Sequence, residues 1–233
     1  MPMENPMVAQ ARTASAPSLA QNRVLRNTYL LLALSMVPTV VGAWLGLQLN
    51  FAVFARLHPA MSGILFLAVA FGFMVGIQRT RNSGWGVGLL LALTFFMGVW
   101  LSGMLGVVLG LANGANLIAL AFGGTAVIFG SMATLATTVK RDLSALGKFL
   151  FVGVIMLIVA GFANIFLQIP AMMIALSVIA IAIFSAFMLY DVNRIVTGGE
   201  TNYITATLAL YLDLYNVFVN LLALLGFTSG SSD

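Results

Sequence analysis

Seven long apolar stretches follow one another along this chain, each near the ~20 residues a helix needs to cross the hydrocarbon core of a bilayer. They lie at about Tyr29–Leu49, Ala60–Gln78, Trp85–Leu109, Asn116–Thr138, Gly147–Leu167, Pro170–Ile195 and Tyr203–Phe227. Short polar connectors separate them: Asn50–Pro59, Arg79–Gly84, Gly110–Ala115, Val139–Leu146, Gln168–Ile169 and Val196–Asn202. The pattern predicts an all-α integral membrane protein with seven transmembrane helices and no soluble catalytic module. It divides the chain into an N-terminal tail at residues 1–27, a membrane domain at 28–227 and a short C-terminal tail at 228–233. The N-terminal stretch holds Pro2, Pro6, Pro17 and several Ser, Thr, Gln and Asn, with few large apolar residues, so it reads as a mobile tail. A cleaved secretory signal does not fit, because the first apolar run comes late and is too long for an h-region. The prolines likewise argue against the amphipathic helix of an organellar transit peptide.

Composition sharpens the class. Of 233 residues, 61% are apolar and 7% charged, whereas a soluble chain of this length carries roughly 58 charges. The mean hydropathy is +1.08. So little polar surface cannot coat a globule in water, and a net charge of +4 is no basic patch despite a pI near 9.9. The expected partner is the lipid bilayer, and nucleic acid is not one. The absence of cysteine excludes disulfides, thiolate metal sites and Cys nucleophiles. His58, the single histidine, sits beside Pro59 in a connector and cannot build a multi-histidine site.

The basic residues predict orientation. Counting alternate sides, the side of the N-terminus receives Arg12, Arg23, Arg26, Arg79, Arg81, Lys140, Arg141, Lys148 and Arg194, and the other side Arg56 alone. This places the N-terminus in the cytoplasm and, with seven crossings, the C-terminus outside, in the periplasm of a bacterial cell. A re-entrant last stretch would return the C-terminus to the cytoplasm. Two small-residue ridges predict close helix packing: Gly98, Ser102, Gly106 and Gly110 in the third span, and Ala126, Gly130 and Thr134 in the fourth. Both are read as packing inside the bundle, with a homodimer face as the other use. The pattern specifies no oligomeric state.

A charge inside a span costs roughly 2.5–3.5 kcal/mol on the insertion scale, so each needs a reason. Two stand out: Asp191 near the end of the sixth span and Asp213 inside the seventh. At 1.5 Å per residue they lie roughly 9 and 16 Å from the same membrane face, on helices joined by a short loop. Their side chains can therefore meet. Asp213, Asn216 and Asn220 fall on one helix face, a polar stripe that must avoid lipid, which predicts a central seventh helix with the other six around it. Two carboxylates in one low-dielectric site resist ionising together, so such a pair holds a proton near neutral pH. It could sense pH, relay protons or bind a hard cation such as Ca²⁺. The alternative is structural: Asp191 paired with Arg194 one turn on, and Asp213 bonded to Tyr211, Tyr215 or a neighbouring helix. Intramembrane aspartyl proteolysis is excluded by the missing Gly-x-Gly-Asp signature, since Asp213 follows Tyr211-Leu212 and Asp191 follows Leu189-Tyr190.

Three runs carry a resemblance: Phe187–Val196 (FMLYDVNRIV), Gly198–Tyr203 (GGETNY) and Ala209–Phe218 (ALYLDLYNVF). Together they resemble the C-terminal signature of the Bax inhibitor-1 (TMBIM) family, and Ala119–Phe129 is similar to its fourth span. The GGETNY run and short loops look most like the family's bacterial YccA branch, whose members restrain the membrane-bound AAA protease FtsH. The resemblance implies seven helices with a central last one. It also implies that Asp191 and Asp213 form a proton-linked pair gating a Ca²⁺ leak, as in some members. A basic latch residue from the second span has no counterpart here, because Ala60–Gln78 contains no charge.

Two functions follow as expectations, neither enzymatic. One is modulation of FtsH-type proteolysis and the stress response at a bacterial inner (plasma) membrane, with the N-terminal tail as a handle for the protease. The other is a pH-sensitive Ca²⁺ or cation leak, with Asp191 and Asp213 as gate and candidate Ca²⁺ ligands, and Asn216, Asn220 and Arg194 as the supporting polar face. No cofactor is expected beyond transported Ca²⁺ or H⁺.

Overall fold

The computed structural model describes residues 6–51, 53, 57, 59–139, 141 and 143–230. Arg56, His58, Lys140, Asp142, Glu4 and Asp233 lie outside the described residues, as does the side chain of Arg12. Among the described residues there are seven long α-helices and no strand: α1 (Pro6–Gln48), α2 (Pro59–Thr80), α3 (Gly84–Leu109), α4 (Gly114–Thr138), α5 (Ser144–Leu167), α6 (Pro170–Val196) and α7 (Tyr203–Gly230). All seven are long and apolar enough to cross a membrane. The protein is an all-α seven-span membrane protein. From α2 to α7 each helix starts within about three residues of the hydropathy boundary, because polar breaks and apolar runs are the same signal in a bilayer.

The N-terminal end differs from the tail expected there. The helix of α1 already runs from Pro6, through Pro17, since a proline inside a helix kinks it without having to end it. Val24, Leu25 and Tyr29 pack against the core, so the bundle begins before residue 28.

Helix α7 is the axis. Residues 204–208 are buried in succession, as are Leu210, Tyr211, Asp213, Val217 and Leu222, which only a helix wrapped on all sides allows. It touches α1, α2, α3, α4 and α6. The helices α1, α3, α4 and α6 close a ring around it through the contacts α1–α3, α3–α4, α4–α6 and α6–α1. Helices α2 and α5 sit outside the ring, on α3 and α6 respectively. The expected shell of six is thus five in contact, because α5 reaches only α6; within α5 just Gly147 and Leu150 are buried. At 28 residues and 1.5 Å each, the unbroken α7 is about 42 Å long, with no re-entrant break.

The two ridges behave differently. A Cβ on Gly98 would run into the backbone of α1 at Thr39 and Ala43, and one on Gly42 into α3 at Phe95 and Val99, so α1 and α3 touch backbone to backbone. In the ridge of α3, Gly98 and Ser102 pack inside the bundle as expected, whereas Gly106 and Gly110 are exposed. In α4, however, Ala126, Gly130 and Thr134 are exposed, and a Cβ on Gly130 would meet open space. That helix turns Leu117, Ala121, Thr125 and Ala136 inward instead. Small residues permit close packing without requiring it, and α4 carries them on two faces.

Candidate functional site

The site forms where α6 ends and α7 begins. Helix α6 stops at Thr197, whose N–H donates to the Asn193 carbonyl at 2.8 Å, and Gly198 reverses the chain at φ +83°. That left-handed turn strains any residue with a Cβ, which explains the glycine. Asn202 then caps α7: its Oδ1 accepts from the N–H groups of Ile204 and Thr205 at 2.9 and 3.2 Å. With only six residues between the last of α6 and the first of α7, the helices lie side by side.

Asp191 and Asp213 face each other across this seam, close enough for each carboxyl to act on the other. Asp213 is 5% exposed, and its Oδ2 is buried with no hydrogen-bond donor among the described residues. Ionised carboxylates only accept, so a hydrogen bond between the two requires a proton on one of them. Asp191 sits nearer the loop, and its Oδ1 lies 3.9 Å from Arg194 Nη1. Arg194 stacks over the Tyr190 ring at 5.7 Å and reaches Glu200 Oε2 through Nη2 at 3.5 Å. Asp191 thus has both Asp213 and Arg194 as neighbours.

Asn216 and Asn220 stay outside this cluster as donors. Their amides fold back on their own helix, Asn216 to the Leu212 carbonyl and Asn220 to the Asn216 carbonyl, both at 2.8 Å. The stripe keeps polar atoms off lipid by satisfying them locally. Tyr211 and Tyr215 do not serve Asp213 either. The Tyr211 hydroxyl bonds with Thr39 Oγ1 at 2.9 Å and donates to the Thr94 carbonyl at 3.4 Å, while that of Tyr215 donates to the Met97 carbonyl at 3.3 Å. They tie α7 to α1 and α3.

Three residues around the pair escaped the sequence reading: Glu200, Asn202 and Asn193. Buried Asn193 donates to the Val139 carbonyl at 2.7 Å, pinning the end of α6 to the end of α4. Asn202, directly before a helix and beside two glycines, was detectable as a cap. As a metal site the cluster offers two carboxyls; among the described residues no group of three or more His, Cys, Asp or Glu comes together. Ca²⁺ takes six to eight oxygens, so water or backbone carbonyls would complete its shell.

A protein-family model described as "Inhibitor of apoptosis-promoting Bax1" matches residues 21–230. The chain belongs to the Bax1-inhibitor family. Within this Bax1-inhibitor family, the modulator of FtsH protease YccA of Escherichia coli K12 is 38% identical over 211 residues, spanning 91% of this chain and 93% of its own. An uncharacterized membrane protein of Vibrio cholerae is 36% identical over 227 residues, spanning 96% of this chain and 97% of its own. A further relative from Neisseria meningitidis serogroup B is 37% identical over 212 residues.

Proposed function

We propose that this protein is a multi-pass inner-membrane modulator of FtsH-type proteolysis, acting without chemistry of its own and protecting other membrane proteins under stress. The observation that carries the reading is the similarity to the Escherichia coli modulator of FtsH protease, which runs through all seven helices rather than one motif. The excess of basic residues on one side supports an orientation with the N-terminus in the cytoplasm and the C-terminus in the periplasm. In this orientation the N-terminal stretch faces the cytoplasm, where an AAA protease can engage it. The test measures degradation of a membrane substrate by an FtsH-type protease in native membranes, with and without this protein. Slower turnover with the protein present, and its recovery with the protease on pull-down, are expected; unchanged turnover overturns the reading.

A second activity is favoured by the meeting of Asp191 and Asp213. We infer a proton-linked cation leak, Ca²⁺ being the leading candidate, with this pair as its gate. One reading names a partner and the other an activity, so the two are compatible. Ca²⁺ flux into proteoliposomes between pH 6 and pH 8 is the measurement. Asp213→Asn is expected to abolish the pH response, and an unaltered response removes the pair from the mechanism.

A further inference from the structure

The GGETNY loop has a geometry that neither reading uses. Glu200 N–H donates to the Arg194 carbonyl at 3.0 Å, so the loop folds back over the last turn of α6 and sets the Glu200 carboxylate beside the Arg194 guanidinium. Glu200 Oε1 in turn accepts from the Asn202 N–H at 2.8 Å. While capping α7, Asn202 also donates through Nδ2 to the Arg81 carbonyl at 2.8 Å and to Asn82 Oδ1 at 2.9 Å, both in the α2–α3 loop. One asparagine therefore joins the helix bearing Asp213, the carboxylate facing Arg194, and a loop some 120 residues earlier.

We propose that Glu200 and Asn202 form a latch that holds Arg194 off Asp191, and so ties the seating of the Asp191–Asp213 pair to the position of the α2–α3 loop. This rests on the reading of the acid pair as a working unit. One guanidinium stands between two carboxylates, 3.5 Å from Glu200 and 3.9 Å from Asp191. A charge-assisted pair at full contact closes to about 2.8 Å, so Arg194 is committed to neither acid. With Glu200 in place the arginine is shared, and Asp191 stays on Asp213. If Glu200 is withdrawn, Arg194 closes on Asp191, the other carboxylate within 4 Å of it among the described residues, and draws it away from Asp213. Asn202 sets where Glu200 stands, and Arg81 and Asn82 set where Asn202 stands. Both of those residues are exposed, so whatever binds the α2–α3 loop acts on the pair through this chain of bonds. Arg194, Glu200 and Asn202 are positioning residues, contributed by the last turn of α6 and its loop.

The test uses the full chain in lipid nanodiscs and a hydrophobic carbodiimide, which reacts with a protonated carboxyl in an apolar site and poorly with an arginine-paired carboxylate. Peptide mass spectrometry reads modification at Asp191 and Asp213 separately. Glu200→Gln and Asn202→Ala are expected to lower modification of Asp191 severalfold, Glu200→Asp to retain most of it, and Glu200→Gln combined with Arg194→Leu to restore it. Because the chain has no cysteine, Asn82→Cys with Asn202→Cys can be joined and released at will. The joined form should label like wild type and the reduced form like Asn202→Ala. Modification at Asp191 that is unchanged in Glu200→Gln, or that stays low when Arg194 is also removed, overturns the latch. Failure of the gate reading shows separately, as a pH response of Ca²⁺ flux that survives Asp213→Asn.

Discussion

Gly42 on α1 and Gly98 on α3 bring two helices of the ring into backbone contact: a side chain on either would enter the other helix's backbone. No hydrophobic drive separates lipid from protein interior, so this intimacy supplies packing that lipid cannot match. Gly98→Leu or Gly42→Leu should destabilise the protein by at least about 1–3 kcal/mol, the usual cost of overpacking, because backbone cannot step aside. Gly130→Leu on α4 points into open space and should leave the thermal midpoint in detergent unchanged. Equal losses for all three would contradict the packing described.

The acid pair predicts coupling. In a double-mutant cycle on unfolding free energy, Asp191→Asn and Asp213→Asn should interact by about 0.5–3 kcal/mol, the range for groups in contact. Paired with Asn220→Ala, whose amide is spent on its own helix, Asp191→Asn should be additive to within about 0.5 kcal/mol.

Tyr211→Phe removes the hydroxyl that bridges α7 to Thr39, a loss of about 1 kcal/mol for a buried hydrogen bond. Tyr215→Phe should cost less, since its bond to the Met97 carbonyl is longer, at 3.3 Å. Equilibrium unfolding of the two variants side by side reads the difference, and a reversed order would overturn this account of how α7 is anchored.

Removing residues 1–18 should leave the thermal midpoint unchanged, because Val24, Leu25 and Tyr29, which pack against the core, are all kept. The same truncation should abolish recovery of an FtsH-type protease on pull-down from membranes. Retained recovery would show that the protease grips the bundle rather than the N-terminal stretch.

Much of the architecture was legible in the residue pattern because a bilayer punishes exceptions. Each span must be continuously apolar, so Gly84–Leu109 and Pro170–Val196 differ from the hydropathy boundaries by a single residue at one end. A carboxyl inside a span is costly, so Asp191 and Asp213 announced themselves, and helical rise with a short loop put them within reach of each other. What the pattern could not decide is which face of a helix turns inward. Lipid and protein interior are equally apolar, so the Ala126, Gly130 and Thr134 ridge looked like a packing surface and faces outward. Nor could it show that Asn216 and Asn220 spend their amides on their own helix, or that Glu200 and Arg81 would be joined through Asn202. Composition and periodicity report each segment's quarrel with water, and that is local; which polar groups come to face one another, as Arg194 faces Asp191 and Glu200, depends on how the segments fold together, and only the folded bundle decides it.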